Sequence, residues 1–91
     1  MEYNIAWTDE ARAHIARHGV SEAEVTCVVW SKSYARRVAR RAVLIGRSNG
    51  RVLLVVLEKS AVKPGAFEVV TARPASESER NLWLRRGKGV R

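Results

Sequence analysis

The chain alternates between helical and strand spacing of its apolar positions, and the order in which it does so sets the fold class. Tyr3-Asn4-Ile5-Ala6-Trp7 alternates apolar and polar residues as a short edge strand does. Thr8 then supplies an N-cap, and Asp9 and Glu10 suit the positive end of a helix predicted over about Asp9 to His18, with Gly19 as the left-handed residue that ends it. Ser21-Glu22-Ala23-Glu24 is a capping box, and Val25, Val28 and Val29 give a second helix its i, i+3, i+4 stripe as far as Trp30.

Residues 31–41 follow neither period cleanly and read as a loop with a short edge strand. From Val43 the period becomes that of strands: Leu44-Ile45-Gly46-Arg47-Ser48, then Arg51-Val52-Leu53-Leu54-Val55-Val56-Leu57, then Val69-Val70-Thr71-Ala72-Arg73. Asn49-Gly50 between the first two is a hairpin signal, because a type I′ turn needs positive φ at both central residues. Such a turn is expected to place Arg47 and Arg51 beside one another at its tip. The nearly unbroken apolar run Val52 to Leu57 predicts a central strand covered on both faces. Pro64-Gly65 marks a turn, and Ser76-Glu77-Ser78-Glu79 is a second capping box that opens a last helix to about Arg86, with a frayed tail over 87–91. Two helices, about four mostly antiparallel strands and a final helix make an α+β domain rather than a βαβ repeat.

At 91 residues the chain forms one domain, 1–91, near the small end of what folds on a single core. The run Val52 to Leu57 is too short to cross a bilayer, the start lacks the layout of a signal peptide, and the single Cys27 has no internal partner. These features favour a reducing cytoplasm.

The net charge of +8 is unevenly spread: residues 1–24 sum to −3 and the rest to +11, and no acidic residue occurs from Val25 to Leu57. One region must therefore be strongly positive, which favours nucleic acid or an acidic protein through long-range attraction and counterion release. Arg36, Arg37, Arg40 and Arg41 form the densest cluster. They read as a nucleic-acid face, as a dock for an acidic partner, or as a solvated edge that discourages strand-to-strand aggregation. Arg47, Arg51 and Arg73 sit at strand ends, where their guanidinium forks can converge over one side of the sheet to hold phosphate or pair with Glu58, Glu68 or Glu79.

His14 and His18 are four apart on the first helix, the spacing of two metal ligands, but a third ligand is available only from isolated Cys27 or scattered carboxylates. Two partly exposed histidines are the plainer reading. Cys27 between apolar neighbours reads as a small, semi-buried hydrophobe, and Trp7 and Trp30 as core. Trp83 serves either as core or as a platform for a base.

Three segments in register give the chain a family resemblance: Trp7-Thr8-Asp9-Glu10-Ala11 with Arg17-His18-Gly19-Val20-Ser21, then Ile45-Gly46-Arg47-Ser48 with Gly50-Arg51-Val52-Leu53, then Val70-Thr71-Ala72-Arg73-Pro74-Ala75 with Glu79 and Trp83. Over about residues 5–83 the chain resembles the BrnT family of bacterial toxins, the toxin half of type II toxin-antitoxin pairs with a RelE-like fold. The resemblance implies a cytoplasmic endoribonuclease that cleaves mRNA without metal or cofactor, is silenced by a ribbon-helix-helix antitoxin, and meets operator DNA only within that complex.

In such chemistry the ribose 2′-hydroxyl attacks the adjacent phosphate, so a proton carrier and charge stabilisation are required. On this resemblance His18 is the titrating group, Arg47 and Arg73 act on the phosphate, Arg51 binds substrate and Glu79 is an orienting residue, while Trp83, as an aromatic, and the Arg36, Arg37, Arg40, Arg41 cluster, by its charge, are candidates for binding RNA. Trp83 stands where the family usually has Tyr, Arg17 where it has Lys, and Pro74 directly follows Arg73. The alternative reading is a non-catalytic basic module of the same fold that binds nucleic acid or an acidic protein.

Overall fold

The computed structural model describes residues 3–31 and 34–88. Two helices, α1 (Asp9–Arg17) and α2 (Glu22–Trp30), precede four strands, β1 (Tyr34–Val38), β2 (Arg41–Ser48), β3 (Arg51–Lys59) and β4 (Phe67–Pro74). A short α3 (Glu77–Leu82) runs on into a π-helical turn, Trp83–Lys88. The sheet is an antiparallel meander in the order β1-β2-β3-β4, so the expected α+β class holds.

Local chemistry sets the helix starts. Thr8 accepts from the Ala11 N–H at 3.1 Å, while Ser21 and Ser76 each take part in a reciprocal capping box with a glutamate three residues on, Glu24 and Glu79. At the far end of α1, Gly19 adopts φ 71° and lets the chain reverse into α2. Asn49 and Gly50 have φ of 57° and 79°, so the turn between β2 and β3 is the tight hairpin that this dipeptide predicts.

Alternation along β3 divides the interior into two layers. Leu53, Val55 and Leu57 face α1 and α2 and pack with Ile15, Val25, Val28, Leu44 and Ala72. Val52, Leu54 and Val56 face the other way, toward Ile45, Tyr34, Leu82 and Trp83. This two-sided cover is why the strand reads as continuously apolar. Each fully buried Leu or Ile contributes roughly 1.5 to 3 kcal/mol.

The structure corrects several expectations. Tyr3 to Trp7 do not form a full strand; Ile5 makes one parallel bridge to Phe67, with Ala6 N–H donating to the Phe67 carbonyl and Phe67 N–H to that of Asn4. Trp30 is not core: as the last residue of α2 it is 59% exposed. Cys27 is likewise exposed, because it lies on the outer side of α2 away from the Val25, Val28 and Val29 stripe. Trp7 is half-buried against the main core. Gly87 and Lys88 belong to the π-helical turn rather than to a frayed tail, and the remainder of that expected tail, residues 89–91, lies outside the described residues, as does Lys32 in the 31–41 segment. No helix among the described residues is long and apolar enough to cross a membrane.

Candidate nucleic-acid interface

The hairpin register decides which way each arginine points. Ser48 pairs with Arg51 and Arg47 with Val52, and cross-strand partners share a face, so Arg47 and Arg51 leave the sheet on opposite sides. The expectation that they lie side by side, and that Arg47, Arg51 and Arg73 converge over one face, is therefore corrected. Arg73 pairs with Leu54, which shares a face with Val52, and this puts Arg73 on the same side as Arg47.

Arg51 turns toward the helices and is held there. Its Nε donates to Glu24 Oε2 at 3.2 Å, and its Nη2 donates to Glu24 Oε1 at 3.0 Å and to the Gly19 carbonyl at 2.5 Å. The Glu24 carboxylate also accepts the Ser21 N–H at 3.0 Å. Hydrogen bonding from Arg51 holds the Glu24 carboxyl below the usual glutamate value, against the opposing effect of burial. Arg51 is thus a strut between the hairpin and the α1–α2 corner.

Arg73 is bound in the same manner on the opposite side. Its Nη1 and Nη2 donate to Glu79 Oε1 and Oε2 at 2.9 and 2.8 Å, a bidentate fork, and Nη1 also reaches the Pro74 carbonyl at 3.2 Å. Glu79 accepts the Ser76 N–H at 2.8 Å, so the residue expected to orient an arginine does so while capping α3. The Arg73 fork lowers the Glu79 pKa, and the same pairing raises that of Arg73.

Arg47 has no carboxylate partner among the described residues. Its guanidinium carbon lies 5.8 Å from the ring centroid of Trp83. Trp83 is only 6% exposed and packs with Ile45 and Leu54, and its Nε1 is buried with no hydrogen-bond partner among the described residues. The ring is therefore core covered by a cation, not the open platform for a base that sequence allowed.

Beside this pair, at the turn end of the sheet, is a depression of about 240 Å³ lined by Arg47, Gly50, Arg51, Val52, Pro74, Ala75 and Arg80. Its lining contains three arginines and no acid, an arrangement suited to an anionic group of the size of a phosphodiester. Arg80 was not singled out by sequence. The signal was available, since the second capping box fixes the start of α3 and puts Arg80 immediately after the glutamate that holds Arg73.

The other expected residues lie elsewhere. His18 is the exposed C-cap of α1, with its ring 5.2 Å from that of His14 in an edge-to-face contact, and it does not line the depression. His14 is tied to Thr71 Oγ1 at 3.1 Å. Arg37 lies over the Phe67 ring at 5.7 Å, Arg40 donates to the Lys59 carbonyl at 3.1 Å, and Arg41 pairs with Glu58 at 3.3 Å. Arg36 stands exposed on β1 without a polar partner among the described residues. No group of three His, Cys, Asp or Glu side chains gathers among the described residues to hold a metal ion.

No protein-family model matches the chain, and no curated protein matches it in sequence. Among solved structures, the crystal structure of the Brucella abortus ribonuclease toxin BrnT matches with a TM-score of 0.63 and 26% identity, over 82% of this chain and 99% of that one. The fold of this chain is thus similar to that of a ribonuclease toxin, as the resemblance in sequence implies.

Proposed function

We propose that this chain belongs to the BrnT toxins and acts as a metal-independent endoribonuclease on mRNA. The observation that carries the reading is the acid-free depression lined by Arg47, Arg51 and Arg80 at the hairpin end of the sheet, in a fold similar to that of a ribonuclease toxin. A phosphodiester seated there meets Arg47 and Arg80 directly. Arg73, paired with Glu79 on the same side of the sheet as Arg47, ties the end of β4 to the start of α3, the helix that carries Arg80. In the reaction the ribose 2′-oxygen attacks phosphorus and the 5′-oxygen leaves, so charge builds on the non-bridging oxygens that these guanidinium groups stabilise. His18, at the α1 corner next to the Gly19 that Arg51 anchors, is the proposed proton carrier. The partners are an mRNA substrate and a neutralising ribbon-helix-helix antitoxin, with operator DNA met only through that complex, in the cytoplasm.

The test is incubation of purified protein with end-labelled RNA in EDTA, alongside expression in growing cells. Fragments ending in 2′,3′-cyclic phosphate, and growth arrest relieved by co-expressing the neighbouring reading frame, are expected. Absence of both cleavage and arrest overturns the proposal.

One observation favours a second reading, a non-catalytic module that binds RNA or an acidic protein. Arg51 and Arg73 are both committed to internal carboxylates, and no histidine lines the depression. Retention of intact RNA in the same assay is its signature.

A further inference from the structure

The sheet has two outer strands, and among the described residues only one has its edge covered. The N-terminal segment lies along β4 through the Ile5–Phe67 bridge and the paired bonds of Asn4, Ala6 and Phe67. Strand β1 closes the other side of the sheet with no further strand beyond it among the described residues, and Ala35 to Val38 are exposed.

Hairpin geometry identifies its free backbone groups. Two residues, Ala39 and Arg40, connect Val38 to its partner Arg41, with Ala39 at φ 55°. In a two-residue hairpin the flanking pair exchanges both hydrogen bonds, and the pattern alternates from there. Val38 and Arg36 therefore bond inward to β2, whereas the N–H and C=O groups of Arg37 and Ala35 point outward. An uncovered row of this kind is a template for another strand.

Charge selects the occupant. Arg36 is exposed on β1 and has no polar partner among the described residues, Arg37 follows it, Arg40 and Arg41 continue the cluster, and no acid occurs from Val25 to Leu57. A second copy of the same edge would set arginine against arginine, which disfavours self-pairing. Val38, 51% exposed on the same face as Arg36 and Tyr34, adds an apolar contact between the charges. We propose that β1 is a docking edge for an acidic, extended segment of a protein partner, which adds as a fifth strand with carboxylates beside Arg36 and Arg37 and an apolar residue beside Val38. The edge is separate from the arginine-lined depression and does not depend on whether the chain cuts RNA.

The experiment measures binding of a fluorescent peptide of about eight residues built around Glu-Glu-Val-Glu-Glu, which sets valine beside Val38 and glutamates beside Arg36 and Arg37 in either strand direction, by anisotropy, to the whole chain. Ala35→Pro leaves every charge in place and removes one outward N–H at a position where proline does not touch the β2 ladder, so affinity should fall about tenfold or more. Arg36→Glu should weaken binding and flatten its salt dependence. N-methylating alternate peptide amides, tested against the unchanged protein, should abolish binding in one of the two registers and so carries the test should Ala35→Pro fail to fold. Equal affinity for the methylated peptides and for Ala35→Pro overturns strand addition. A single-stranded RNA oligonucleotide that displaces the peptide and binds Ala35→Pro undiminished assigns the edge to nucleic acid and overturns it equally.

Discussion

Arg51→Ala separates a structural from a substrate-binding role, because sequence suggests one and geometry the other. The guanidinium makes two bonds to Glu24 and one to the Gly19 carbonyl, and the Glu24 side chain is only 9% exposed. Truncation leaves a carboxylate in the α1–α2 corner with the Ser21 N–H as its main remaining donor. Breaking a well-buried pair costs about 3 to 5 kcal/mol, but Arg51 itself is 38% exposed and water can replace part of what is lost. About 2 kcal/mol is the expected loss, or a fall in Tm of roughly 8 to 16 °C for a domain of this size.

The sign with pH follows from Glu24. Its folded pKa is depressed, so its contribution is present above the ordinary glutamate value of 4.5 and is lost as pH falls through the lowered value. The gap in Tm between parent and Arg51→Ala, followed by calorimetry or circular dichroism, should be full at pH 7 and shrink through the acid range. The Glu24→Gln, Arg51→Ala double variant should lose less than the sum of the single losses. A variant that melts within about 2 °C of the parent at pH 7 while losing RNA retention would refute the reasoning and return Arg51 to the substrate.

Three further outcomes are expected. Glu79→Gln keeps an acceptor for the Ser76 N–H but loses the charged fork to Arg73; stability should drop by about 1 kcal/mol at neutral pH, with no penalty below the lowered Glu79 pKa, measured by denaturation across pH. Arg80→Ala, without a carboxylate partner among the described residues, should leave Tm nearly unchanged, whereas Arg47→Ala also uncovers the Trp83 ring and should lower Tm by a few degrees; each should reduce the salt slope of RNA binding by about 1, measured by filter retention across salt concentrations. Gly50→Ala, at φ 79° with open space around the added Cβ, should cost about 1 kcal/mol through backbone strain alone, visible as a lower urea midpoint with an unchanged slope.

Legibility in the sequence tracked how local the cause was. Caps and the hairpin turn depend on neighbouring residues, so α1, α2, the start of α3 and the β2–β3 turn followed from Thr8, Ser21, Ser76 and Asn49-Gly50. Trp30 and Cys27 failed because the second helix is nearly apolar all round, and only packing reveals that Val25, Val28 and Val29 own its buried side. The N-terminal alternation was real, but a strand also needs a ladder, and α1 begins too soon after Ile5 for more than one bridge to β4. At the site, the residue types were legible and their facing was not. A one-residue difference in register sends Arg47 and Arg51 to opposite sides of the sheet, and that register is fixed by which alternate residues of β3 meet the helices.

The two capping boxes explain how so basic a domain selects which arginines remain available. In each, a glutamate at the third helical position closes the cap with one oxygen and holds a strand arginine as well: Glu24 takes Arg51 and Glu79 takes Arg73. Each carboxylate thus joins a helix start to a strand end across a different face of the sheet. The reach of each arginine is spent inside the fold, and its charge is locally balanced. Arg47 and Arg80 have no such acid among the described residues, and both line the depression. Adding an acid there, as in Ala75→Glu, should therefore abolish anion binding by recruiting Arg47 or Arg80 as Glu79 recruits Arg73. Because the new pair is exposed, Tm should rise by no more than a few degrees, a response that mere loss of fold cannot mimic.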